Sequence, residues 1–75
     1  MVNEMSKEIE VRIKAANTTG MYLDYVDAIF GVAIPYIGDN PPTFGKRDAT
    51  KMINWVNELE SRPGYVQHNW IIEEL

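Results

Sequence analysis

His68 is the residue of this chain best suited to acid–base catalysis at neutral pH, and it is the single histidine. Covalent catalysis also needs a nucleophile beside the base, but the chain has no cysteine. Ser6 and Ser61 lie at the expected ends of helices, where hydrogen bonds to the local backbone account for their hydroxyl groups. The sequence therefore predicts a protein that is not an enzyme.

Asp24 and Asp27 are the carboxylates whose spacing suits chemistry, because residues three apart lie on one face of a helix. They form either a pair of oxygen ligands or an acid–base couple, or they keep one edge of an apolar helix hydrated, which is the simpler interpretation. A zinc site needs three or four converging ligands, and one histidine with dispersed carboxylates does not supply them. We therefore predict no metal and no other cofactor.

The basic residues form one cluster, made by Lys46, Arg47 and Lys51 at the expected start of a helix. Backbone N–H groups at a helix start can hold an anion, so this cluster either contacts a phosphate or an acidic partner, or balances nearby acidic residues. The net charge of -4 argues against a phosphate-backbone binder, which needs an excess of lysine and arginine. Nucleic-acid binding stays the weakest alternative.

The spacing of apolar residues predicts an all-α fold, a single three-helix domain spanning residues 1–75. Helix one is expected at about residues 4–16, with an apolar stripe of Val2, Met5, Ile9, Ile13 and Ala16. Helix two is expected at about residues 20–33, before Pro35, with a stripe of Tyr22, Val26, Ile29 and Ala33. Helix three is expected at about residues 46–61, with a stripe of Ala49, Met52, Ile53, Val56 and Leu59. The sequence Arg62-Pro63-Gly64 ends it.

Two segments fall outside these helices. Residues 34–46 contain three prolines and two glycines, which indicates an irregular crossover that is either a binding loop or is pinned by Tyr36, Ile37 and Phe44. The tail, residues 65–75, combines bulky apolar residues with acidic ones. It either docks into the hydrophobic groove of a partner or folds back to close the core.

A cytoplasmic protein without a membrane segment is the expected class. The N-terminal sequence has neither the basic start nor the apolar run of a signal peptide. Residues 20–37 approach the length of a bilayer span, but Asp24, Asp27, Gly31 and Pro35 interrupt them. The absence of cysteine removes any need for an oxidising compartment.

Residues 20–37 carry more apolar surface than a small three-helix core needs, since 13 of these 18 residues are apolar. We therefore predict a non-enzymatic adaptor or inhibitor that binds another protein. The expected contacts flank helix two, follow Pro35 or lie in the tail, and they are Tyr25, Phe30, Val32, Tyr36, Ile37, Trp70, Ile71, Ile72 and Leu75. The alternatives are a structural subunit of a homo-oligomer or larger assembly, and a weak nucleic-acid binder using Lys46, Arg47 and Lys51.

One stretch combines Gly20-Met21, Tyr22-Leu23-Asp24, Ala28 and Phe30. It resembles a segment of the small late-transcription coactivators of T-even-type bacteriophages, over about a third of the chain. The resemblance implies a viral transcription regulator in the host cytoplasm. It also implies that the helix carrying Tyr22, Leu23, Ala28 and Phe30 contacts host RNA polymerase, and that residues 70–75 contact the sliding clamp.

Overall fold

The computed structural model describes residues 9–75 and consists mainly of strands. Within that range the elements are β1 (Glu10–Ala15), β2 (Leu23–Asp27), β3 (Val32–Pro35), β4 (Phe44–Gly45), α1 (Lys46–Glu60) and β5 (Trp70–Glu74). The predicted all-α, three-helix domain is therefore wrong, and this is not a small helical protein. The expected first turn of helix one, including Ser6, lies outside the described residues.

β1 forms where helix one was expected, because its side chains alternate strictly between charged and apolar. Val11, Ile13 and Ala15 are buried on one face. Ile9 and Ala16, which belong to the expected helical stripe, are exposed. The helical spacing of Ile9 and Ile13 fits a strand equally well, since residues four apart also share a face of a strand.

β2 and β3 form an antiparallel hairpin where helix two was expected. Each strand has two aromatic or β-branched residues, which favour extended backbone. A four-residue turn, residues 28–31, joins the strands, and Gly31 has φ of 68°, a conformation that glycine adopts without strain. Asp24 and Asp27 are therefore not neighbours on a helical face, and the paired carboxylate chemistry expected from that spacing does not apply.

The strands make two small antiparallel sheets that meet at β1. One sheet has the order β4-β1-β5, with Ile13 opposite Ile72 and Ala15 opposite Trp70. The other sheet is the β2–β3 hairpin, which joins β1 through a bridge between Lys14 and Tyr22. The hairpin therefore lies on the same side of β1 as β4. β4 pairs with the start of β1, and the hairpin joins near its end.

α1 covers one face of β1 and β5, at the position where the sequence predicts helix three. Its last turn closes through Ser61, whose N–H donates to the carbonyl of Asn57 and whose Oγ donates to the carbonyl of Glu58. The main core joins both sheets and the helix, and its buried members are Val11, Ile13, Ala15, Leu23, Ala49, Val56 and Trp70. Burying each large side chain contributes about 1.5–3 kcal/mol.

The crossover and the tail are more regular than expected. The crossover contains β4, and Phe44 packs against the core, whereas Ile37 is 92% exposed and pins nothing. Tyr36 is half-buried, and a side chain at Gly38 would collide with its ring. The tail folds back as β5, so the alternative in which it closes the core describes it correctly.

Candidate protein-binding surface

The turn of the β2–β3 hairpin is fixed by one side chain. Asp27 Oδ1 accepts hydrogen bonds from the N–H groups of Ile29 at 3.0 Å and of Phe30 at 3.2 Å. The Gly31 N–H donates to the Asp27 carbonyl at 2.7 Å. Aspartate commonly stabilises turns in this way. The N–H groups of Ile29, Phe30 and Gly31 are therefore satisfied within the turn itself.

Those two side chains point into solvent and form the hairpin tip, defined here as Ile29 and Phe30. Ile29 is 90% exposed and Phe30 is 77% exposed. Gly31 anchors the tip against the end of α1, because a Cβ at Gly31 would lie 3.4 Å from Tyr65 Oη and 3.8 Å from Leu59 Cδ1. The tip is thus a pair of large apolar side chains on a fixed turn.

The two faces of the hairpin differ in burial. Val26 and Ala33 face each other across the strands and pack against the core. Tyr25 and Val32 lie at the alternate positions and are exposed. An apolar outer surface therefore continues from the hairpin tip along the strands.

The predicted contact residues divide between two regions. Tyr25, Phe30 and Val32 lie together on the hairpin, and Tyr36 and Ile37 follow β3. The tail residues lie on β5 or directly after it, namely Trp70, Ile71, Ile72 and Leu75.

The tail residues do not share one exposed face. Trp70 is buried at 1% exposure and Ile72 packs against the core, so neither is available to a partner. Ile71 and Leu75 are exposed. Of the four predicted tail contacts, Trp70 and Ile72 therefore serve the core, and Ile71 and Leu75 remain accessible.

Sequence reasoning missed Ile29, which it assigned to the buried stripe of helix two. The signal was present, since an aspartate and a glycine four residues apart stand between two runs rich in β-branched and aromatic residues. That pattern is typical of a hairpin with a short loop, and the residues inside the loop are the ones that a hairpin exposes.

A polar cluster covers the face of the main sheet opposite α1. Glu73 accepts a hydrogen bond from Tyr22 Oη at 2.9 Å and pairs with Lys14 Nζ at 3.4 Å. The guanidinium of Arg12 lies 5.8 Å from the centre of the Tyr22 ring, and Arg12 Nε is buried without a partner among the described residues. The Tyr22 hydrogen bond lowers the pKa of Glu73; partial burial opposes this, and Lys14 adds to it.

A shallow groove of about 290 Å³ lies beside this polar cluster, at the turn between β1 and β2. Lys14, Thr18, Tyr22 and Glu73 are among the residues that line it. Its two ionic groups are already paired with each other, so the groove presents no unpaired charge of its own.

His68 belongs to a structural cluster at the end of α1. Its Nδ1 lies 3.1 Å from both carboxylate oxygens of Glu60, which is buried. Glu60 also accepts hydrogen bonds from the His68 N–H at 3.0 Å and from Trp70 Nε1 at 3.2 Å. Within residues 9–75 no serine or threonine hydroxyl hydrogen-bonds to His68, so the cluster ties the tail to the helix without a nucleophile.

The basic cluster is partly used inside the chain. Lys46 Nζ pairs with Glu74 at 2.7 Å, and the Lys46 N–H donates to the Ile9 carbonyl at 2.8 Å. Arg47 is exposed and is engaged by other groups of the chain. Lys51 is exposed one turn later on α1. The first backbone donor of the helix therefore serves the sheet rather than an anion.

Across residues 9–75, no three histidine or carboxylate side chains converge as metal ligands do. In the same range, no helix has both the length and the apolar character needed to cross a bilayer.

Comparisons with family models, with curated proteins and with solved structures found no match to this chain.

Proposed function

We propose that this protein is a non-enzymatic adaptor or inhibitor that binds another protein through its hairpin tip. The observation that carries the proposal is the pairing of a fixed turn with two exposed apolar side chains, Ile29 and Phe30. Covering such side chains contributes about 1.5–3 kcal/mol each. Because Asp27 already orders the turn, little conformational entropy is lost when the tip binds.

Tyr25 and Val32 extend this surface on the outer face of the hairpin. Host RNA polymerase, which the sequence resemblance implies, is the first partner to test. The segment carrying that resemblance forms a hairpin rather than a helix, so a polymerase contact would use the tip and strand residues. We propose that the interaction takes place in the cytoplasm, because the N-terminal sequence lacks a signal-peptide pattern and the chain has no cysteine.

A capture experiment with tagged protein and a bacterial lysate tests the proposal. The wild type is compared with the double variant Ile29→Ser and Phe30→Ser, and retained proteins are quantified by mass spectrometry. The expected result is at least one protein, such as RNA polymerase, that the wild type retains and the double variant loses. Serine keeps the turn hydrogen bonds, which use backbone N–H groups.

Val66→Ser is the matched control, because Val66 is 72% exposed and lies outside the hairpin. Circular dichroism and thermal unfolding establish that all variants are folded. Retention of the same proteins by the wild type and by the folded double variant would contradict the proposal, as would capture of nothing above the tag alone.

A further inference from the structure

We infer that the partner site for the hairpin tip is an apolar pocket with a rim of basic side chains. The inference rests on the proposed function and adds the chemistry of the partner. It follows from the charge of residues 15–45, the segment that carries the tip.

All charged residues in the segment that carries the hairpin are acidic. Residues 15–45 contain Asp24, Asp27 and Asp39 and no lysine, arginine or histidine. Three negative and no positive charges give this segment -3 of the chain's net charge of -4. The basic residues that border it in sequence, Lys14 and Lys46, pair with Glu73 and Glu74. No cation within the segment offsets its aspartates.

Asp27 brings one of these charges to the base of the tip. Its Oδ1 lies 3.0 Å and 3.2 Å from the N–H groups of the two tip residues, so any surface that covers them also approaches this carboxylate. Asp24 lies on the same strand and is half-buried. A purely apolar partner would remove water from the Asp27 carboxylate without replacing it. Lysine or arginine at the rim supplies that compensation.

The same charges disfavour other occupants. Anionic lipid surfaces and nucleic-acid phosphates repel an acidic segment. A second copy of this chain would bring a second acidic tip, and Lys14 and Lys46 are already paired within their own molecule. Of the surfaces that accept Ile29 and Phe30, a basic-rimmed protein pocket is therefore favoured.

Cyclodextrins reproduce this chemistry, because their cavity is apolar and their rim can carry either charge. The probes are β-cyclodextrin, its hepta-amino derivative and its carboxymethyl derivative. Each is titrated into the full-length ¹⁵N-labelled protein, and binding is followed through the amide signals of Ile29 and Phe30. The expected order of affinity is amino, then neutral, then carboxymethyl.

Two charge variants test the cause of that order. Asp27→Asn removes the charge but keeps an oxygen that can accept both turn hydrogen bonds, and it is combined with Asp24→Asn. The double variant should lose about two- to tenfold affinity for the amino form and little for the neutral form, as removal of exposed ion pairs predicts. Glu58→Gln, on the exposed face of α1, is the control and should change neither affinity.

Equal affinity for the three cyclodextrins would overturn the inference while leaving docking through the tip intact. Binding that survives Phe30→Ser, or no binding of any probe at the tip, would also overturn it. A stronger shift of the tip signals with phosphatidylglycerol vesicles would assign the tip to a membrane. A concentration-dependent mass that the Ile29→Ser and Phe30→Ser variant loses would assign it to a second copy.

Discussion

Glu60 is a charged side chain in the core that connects α1 to the tail. It is 4% exposed and accepts hydrogen bonds from two donors, the His68 N–H and the Trp70 indole. Burying a carboxylate is costly unless hydrogen bonds satisfy it, and here they do. The stability of the tail therefore depends on this residue as well as on apolar packing.

Glu60→Ala should lower the free energy of unfolding by about 2–3 kcal/mol, because it leaves two buried donors without a partner. Glu58→Ala is the matched control on the same helix, since Glu58 is exposed and its carboxylate pairs with Arg62. It should cost less than about 0.5 kcal/mol. Urea unfolding followed by tryptophan fluorescence measures both, and equal losses for the two variants would show that Glu60 is not a structural anchor.

Glu73, on the sheet face opposite α1, makes the stability of the fold depend on pH. Its pKa is lowered in the folded state, chiefly by the hydrogen bond from Tyr22. The unfolded chain therefore binds more protons than the folded chain in acid. The stabilising contribution is complete above the unfolded pKa of about 4.3 and is lost as the pH falls through the folded value.

Tyr22→Phe should raise the pKa of Glu73 towards its ordinary value and make the loss of stability between about pH 5 and pH 3 less steep. ¹³C NMR titration of the Glu73 carboxylate measures the first effect, and urea unfolding across this pH range measures the second. Tyr25→Phe is the control, because Tyr25 is exposed on the hairpin. A Glu73 titration identical in wild type and Tyr22→Phe would refute this account.

The outer edge of β5 is protected by a side chain rather than by another strand. The Ala16 N–H donates to the Asn69 carbonyl, so the backbone of Trp70, the next residue, points away from β1. The side-chain amide of Asn57 satisfies both backbone groups of Trp70. Its Nδ2 donates to the Trp70 carbonyl at 2.9 Å, and its Oδ1 accepts from the Trp70 N–H at 3.0 Å. Beyond Trp70, β5 has no strand on this side within the described residues.

Asn57→Ala should cost about 1–2 kcal/mol and free the Trp70 backbone for pairing with another chain. Asn54→Ala is the matched control, because Asn54 is exposed one turn earlier on α1. Light scattering after size exclusion should then show a mass that rises with concentration for Asn57→Ala alone. Self-association of the wild type to the same extent would instead favour the alternative of a structural subunit.

The type of secondary structure could be predicted from the sequence for α1 but not for β1. The α1 stripe has a helical period over four turns and ends before a proline and a glycine, so no strand pattern competes with it. The β1 segment is shorter, and its apolar residues fit both periods. The charged residues between the apolar ones indicate a strand rather than a helix. Arg12 and Lys14 fall at alternate positions and share the face that carries Tyr22 and Glu73.

At the scale of the whole molecule, one core holds both sheets and the helix. Leu23 of β2, Ile13 of β1, Val56 of α1 and Trp70 of β5 belong to the same buried cluster. The hairpin is therefore attached to the main sheet through its base, and Gly31 lies close to Leu59 of α1, while the tip stays outside the core. This arrangement leaves the acidic segment with its two most exposed tip side chains, Ile29 and Phe30, in solvent.

The sequence by itself determined the acidic character of residues 15–45 and the position of α1, because composition and one long periodic stretch need no partner to define them. Only the tertiary structure decided that the other predicted helices are strands. A strand is stabilised by pairing with distant residues, as when Ala15 of β1 lies opposite Trp70 of β5, which is buried. The middle of the chain pairs with itself as the β2–β3 hairpin, and Ile29 therefore lies at an exposed tip rather than in a core.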